Sequence, residues 1–134
     1  MAEALLSLLA FFWTYWVAGW RPGLPVAASG DLYRRATTMT LAGIVAVQVG
    51  NVFACRTDRE SVFRVGLFSN RWVLPGIVVE VGILVGLILV PPFPYIFGLA
   101  PLEFGEWGFL LLFPPVMLLL EEARKWVIRW VANR

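Results

Sequence analysis

Long apolar runs set between tight clusters of charge constrain this chain more than any other feature. Charged residues gather at 31–35, 56–71, 103–106 and 121–134. The stretches between them approach the ~20 residues needed to cross a bilayer as a helix. The pattern predicts spans near 4–20, 37–54, 72–90 and 107–123, forming a single membrane domain over 1–134 with a basic cytoplasmic tail at 124–134. Of the 134 residues, 60% are hydrophobic and only 15% charged, and the mean hydropathy is +0.77. A water-soluble fold of this length hides roughly 70% of its surface, too little to cover runs that are apolar on every side. The expected fold is therefore an all-α membrane protein with four transmembrane helices, and its first partner is the lipid bilayer.

Several functions are excluded early. The net charge of +2 comes from basic residues that flank apolar spans, as membrane topology requires, with no basic face interleaved with stacking aromatics, so no nucleic acid is expected. A single cysteine, Cys55, and the absence of histidine leave no intrachain disulfide and no cluster of zinc or haem ligands. Lys125, the only lysine, follows Arg124 and not glycine, so there is no phosphate-binding loop. Asp31 and Asp58 lie in connections without a base beside them. On its own the chain is not expected to be an enzyme, and no cofactor is expected to bind it alone. Ala27-Ala28-Ser29 loosely imitates a signal-peptide cleavage site, but the first span has no basic start and is read as a retained helix.

Charge also orients the chain. The connection 55–71 carries Arg56, Arg59, Arg64 and Arg71, the tail carries Arg124, Lys125, Arg129 and Arg134, and 91–105 carries none. The positive-inside rule then puts both termini in the cytoplasm. Arg21, Arg34 and Arg35 on the opposite side run against that assignment. Trp20, Trp72, Tyr95, Trp107 and Trp126 stand near predicted membrane edges, and Pro114-Pro115 predicts a kink in the fourth span.

Glu80 falls almost at the centre of the third span and is the only ionisable group well inside any of the four. A carboxylate there must be protonated, paired or bound to a cation, and a functional role stands beside that of hydrogen-bonded packing glue. On the second span Thr37, Thr40, Gln48, Asn51 and Cys55 share one helical face. Gln48 and Asn51, three apart, offer neutral amide oxygens that suit a hard cation, although such amides also join helices by hydrogen bonds. Ala42, Ala46, Gly50 and Ala54, and the pair Gly82 and Gly86, are small residues suited to close helix packing, within the chain or with helices outside it. Glu121, Glu122, Arg124 and Lys125 form a local ion-paired cluster or a solvated face. Cys55 is read as an ordinary interfacial thiol.

From residue 36 onward, a series of anchors occurs in order: Thr38-Met39-Thr40, Gln48 with Asn51, Cys55-Arg56-Thr57-Asp58-Arg59-Glu60-Ser61-Val62-Phe63 with Gly66, Glu80, Pro91-Pro92, Phe113-Pro114 and Glu122-Ala123-Arg124-Lys125. On these residues the chain resembles the C-terminal transmembrane domain of P-type cation-transporting ATPases of the calcium-pump and sodium/potassium-pump group, and the Cys-Arg-Thr to Ser-Val-Phe stretch looks closer to the sodium/potassium pumps. The resemblance makes the four spans similar to helices seven to ten of a ten-helix pump and implies the topology that the basic residues favour.

The resemblance further implies that Gln48, Asn51 and Glu80 are cation or metal ligands. It also shows a departure. The position of Asn51 is usually Asp in sodium/potassium pumps, and that of Gln48 is Glu in calcium pumps, so the second span here has neither carboxylate. Weaker charge suits a monovalent cation or a proton. The implied function is that of a C-terminal membrane domain in ion transport, located in the plasma membrane. It contributes to an ion site and buttresses the pump helices, with the remaining helices or catalytic chain of a pump as partner. The alternatives are a stand-alone accessory or scaffold protein bound to a larger transporter, and a small channel using Glu80.

Overall fold

The computed structural model describes residues 2–55, 64, 66 and 71–132, and helices are the regular secondary structure within them. The Cys-Arg-Thr to Ser-Val-Phe stretch beyond Cys55, including Arg56 and Arg59, and the terminal Arg134 lie outside the described residues. The elements are α1 (Ala2–Val17), α2 (Asp31–Ala54), α3 (Val73–Leu89), α4 (Phe93–Phe97), α5 (Phe104–Leu110) and α6 (Phe113–Ala132). Two helical stretches are long and apolar enough to cross a membrane, the 24 residues Asp31–Ala54 and the 29 residues Phe104–Ala132, which α5 and α6 make together. The other two apolar helices, α1 and α3, have 16 and 17 residues, about 24–26 Å at 1.5 Å per residue.

α2 already begins at Asp31, ahead of the predicted span, because Gly30 takes φ 91°. That left-handed backbone costs glycine no Cβ clash and lets the chain turn straight into the helix, so Arg34 and Arg35 ride on the first turn of α2. The interruption expected at Pro114-Pro115 falls just before them, at Leu111 and Leu112, between α5 and α6. In an unbroken helix the N–H groups of residues 114 and 115 would bond the carbonyls of Leu110 and Leu111. Proline has none to give, and in the first turn of a new helix none is needed.

α2 is the hub. It packs along α1 on one side and α6 on the other, with α3 and α5 in lighter contact. Ala10, Met39, Ala42, Val47, Leu84, Ile88, Leu110, Phe113 and Met117 form the core between them. Its small residues permit this: a Cβ on Gly50 would stand 2.7 Å from the carbonyl oxygen and 2.9 Å from the Cα of Pro114. Ala42 and Ala54 are buried as well, so the predicted small face of α2 is the packing face. Gly82 and Gly86 on α3 differ, since a Cβ on either meets nothing within 4 Å among the described residues. The Trp13 and Phe109 rings stack with centroids 4.3 Å apart and tie α1 to α5. Ser7, Thr14, Thr37, Thr38 and Thr40 each return a hydroxyl hydrogen bond to a carbonyl one turn back, which satisfies these groups in apolar surroundings. The outer faces of the helices keep large apolar side chains exposed, among them Leu5, Val17, Val78, Val79, Ile83 and Leu119.

Candidate functional site

Asn51 sits in the last turn of α2, where the helix ends with the Cys55 N–H bonding the Asn51 carbonyl at 2.8 Å. Its side-chain Nδ2 donates to Oε1 of Glu3 at 2.9 Å. Its Oδ1 accepts a hydrogen bond from Sγ of Cys55 at 3.1 Å. Glu3 is the acidic residue in the first turn of α1, where unpaired backbone N–H groups favour negative charge. The amide of Asn51 is thus engaged on both sides, by a thiol from its own helix and a carboxylate from the neighbouring one.

Gln48 lies one turn back and is exposed, without a hydrogen bond among the described residues. Thr37 and Thr40, on the same polar face, spend their hydroxyls on α2 carbonyls. Glu80 is half-buried in α3, beside the face that carries buried Leu84 and Ile88. It makes no hydrogen bond or ion pair among the described residues, and none links it to Gln48 or Asn51. No group of three or more Cys, Asp or Glu side chains is gathered among the described residues.

The opposite end of α2 holds a second polar constellation. Nη2 of Arg35 lies 2.9 Å from Glu103 and 3.1 Å from Glu106. Glu106 also accepts the backbone N–H of Glu103 at 2.7 Å, a reciprocal contact that starts α5. Arg34 donates to the carbonyl of Leu99 at 2.7 Å, and the hydroxyl of Thr38 accepts the N–H of Ala100 at 2.9 Å. Arg34 and Arg35, which ran against the charge-based orientation, are therefore consumed in holding the 94–106 connection onto α2. An open cleft beside Trp13 and Thr14 is lined by Arg35, Glu103 and Glu106, far along α2 from Asn51.

In the last helix, Glu121 pairs with Arg124 at 2.7 Å and Glu122 with Lys125 at 3.6 Å, so the cluster at 121–125 is ion-paired. Lys125 nevertheless turns inward and caps the carbonyl of Ala54 at the end of α2. Sequence reasoning missed Glu3, because it precedes the first predicted span, and missed the burial of Lys125, because a lysine in a basic tail reads as solvated. The three-residue spacing of Glu103 and Glu106 before Trp107 was the available sign of the α5 start.

A family model described as the C-terminus of cation-transporting ATPases matches residues 1–127. The chain is 29% identical over 130 residues to Calcium-transporting ATPase 1 of Bacillus cereus, covering 90% of this chain and 14% of that protein. It is 27% identical over 103 residues to Probable cation-transporting ATPase F of Mycobacterium tuberculosis, covering 77% and 11%. To Calcium-transporting ATPase 1 of Schizosaccharomyces pombe it is 37% identical over 103 residues, covering 75% and 11%. The chain spans about one seventh or less of the length of these relatives. With the match extending over nearly every residue, the chain belongs to the family of cation-transporting ATPase C-terminal domains.

Proposed function

We propose that this domain forms four transmembrane helices of a P-type cation pump, α1, α2, α3 and the pair α5–α6, with both ends in the cytoplasm. The rest of the pump supplies ATP hydrolysis, and this domain does not hydrolyse ATP itself. It buttresses the moving helices, and Gln48, Asn51 and Glu80 contribute oxygen ligands to a cation or proton site. The ion is monovalent or a proton, the membrane is the plasma membrane, and the partner is the remaining helices with their catalytic domains.

The observation that carries this reading is Glu80. It is a carboxylate in the middle of a 17-residue helix that is otherwise apolar, and no group among the described residues bonds it. A carboxylate at that depth needs a partner, and for a domain of this family the missing partner is a cation or a helix from the rest of the pump. The short α1 and α3 fit the same picture, because neighbouring pump helices cover what a 16-residue or 17-residue segment leaves open.

The test is co-expression with the catalytic remainder of a related pump, purification in mild detergent and native mass spectrometry, comparing wild type with Glu80→Gln. Both should form the complex, and only the variant should lose cation-stimulated ATP hydrolysis. A chain that self-associates and ignores that partner overturns the proposal.

A further inference from the structure

Past Asp31 in its first turn, α2 carries no acidic residue, and the candidate ligands it contributes are both neutral amides. A carboxylate nonetheless reaches one of them, from a different helix. We infer that Glu3 of α1 supplies the negative charge that α2 lacks, so that Glu3 and Asn51 together form one charged element of the cation site across the α1–α2 contact. This rests on the cation-site reading above and deepens it by naming a ligand for a hard, oxygen-seeking cation.

Three features support the assignment. Glu3 is half-buried, and among the described residues its side chain accepts only the Asn51 N–H. An ionised carboxylate has about four lone-pair positions, so coordination capacity remains. The Asn51 amide is also poised to reverse. A half-turn about its terminal torsion brings Oδ1 beside the Glu3 carboxylate, giving two oxygens to one cation, and turns Nδ2 toward Cys55.

Cys55 makes that reversal inexpensive. Its thiol donates to Oδ1 in the present arrangement, and its sulfur can accept from Nδ2 in the reversed one, since a thiol is both a weak donor and a weak acceptor. The amide keeps a partner either way. Without a cation, Asn51 satisfies Glu3. With one, the amide and the carboxylate share the ion, and the thiol takes up the amide N–H.

The experiment titrates cation-activated ATP hydrolysis in the complex of the full chain with the catalytic remainder of a related pump. Sodium, potassium and calcium are the cations tested. Glu3→Gln should raise the half-activating concentration of the activating cation by about tenfold or more, and Asn51→Asp in the Glu3→Gln background should restore it. Cys55, which is exposed, should be alkylated faster when that cation saturates the wild-type complex, because an amide N–H then faces the sulfur. Glu3→Gln should abolish the acceleration.

If Glu80→Gln abolishes cation-stimulated hydrolysis and Glu3→Gln leaves the half-activating concentration unchanged, the assignment of Glu3 is overturned and the proposed function stands. If Glu3→Gln lowers the yield of complex and Asn51→Asp fails to recover it, the contact is structural and the assignment is overturned. If neither Glu80→Gln nor Glu3→Gln alters cation activation, the proposed function fails as well.

Discussion

The ammonium of Lys125 stands 2.7 Å from the carbonyl oxygen of Ala54, joining the middle of α6 to the last turn of α2. The lysine is only 1% exposed, and its charge is balanced by Glu122 at 3.6 Å and by the negative end of the α2 dipole. Lys125→Met keeps the apolar stem and deletes the charged donor, which leaves a helix-end carbonyl buried without its bond. The expected loss is about 1–3 kcal/mol, read as an earlier midpoint in denaturation of the purified domain in mixed micelles. An unchanged midpoint would mean that the cap contributes nothing to stability.

Gly50 and Gly86 make a paired test of helix packing. Gly50→Ala places a methyl group 2.7 Å from a Pro114 oxygen, forces α2 away from α6 and should cost about 1–3 kcal/mol. Gly86→Ala meets nothing within 4 Å among the described residues and should be neutral or stabilising by up to about 1 kcal/mol through helix propensity. The same denaturation measurement on both variants separates them; equal effects would contradict the close α2–α6 approach.

Glu103 and Glu106 both bind Arg35 but differ in burial, with side chains 71% and 8% exposed. Glu106→Ala removes a buried acceptor from a guanidinium and from a backbone N–H, and should cost about 1–3 kcal/mol. Glu103→Ala removes an exposed ion pair and should cost less than about 1 kcal/mol. Limited proteolysis of the connection before α5 offers an independent check, since only the Glu106 variant should become readily cleaved there.

Glu80→Gln should leave the stability of the purified domain within about 0.5 kcal/mol of wild type, because the carboxylate bonds nothing among the described residues. A substantial loss in the domain alone would identify Glu80 as the glue between helices of this chain. Stability retained alongside lost cation stimulation in the assembled pump would identify it as a ligand.

Apolar runs, prolines and small residues made much of the architecture legible. The runs marked helices, Gly50 and Ala54 marked the packing face of α2, and the paired prolines marked the neighbourhood of the α5–α6 break. The candidate site was legible only in part. Asn51 and Glu80 stand out because polar groups in apolar helices are rare, but that rarity says nothing about which neighbour each one meets. Gln48 illustrates the limit: the same periodicity that groups it with Asn51 sets it in line with exposed Ile44, off the faces where Gly43 meets α1 and Gly50 meets α6, and leaves it exposed.

By itself the sequence determined that this chain is helical and apolar, since runs of that length need a backbone that satisfies its own hydrogen bonds in an apolar setting. It also determined where polar groups interrupt those runs. The tertiary structure decided the pairings: Glu3 with Asn51, Arg35 with Glu103 and Glu106, and Lys125 with Ala54. Each joins residues far apart along the chain, and their meeting depends on the rotation and axial offset of one helix against another. Side-chain packing across the α1–α2 and α2–α6 contacts sets that offset, and no local periodicity encodes it.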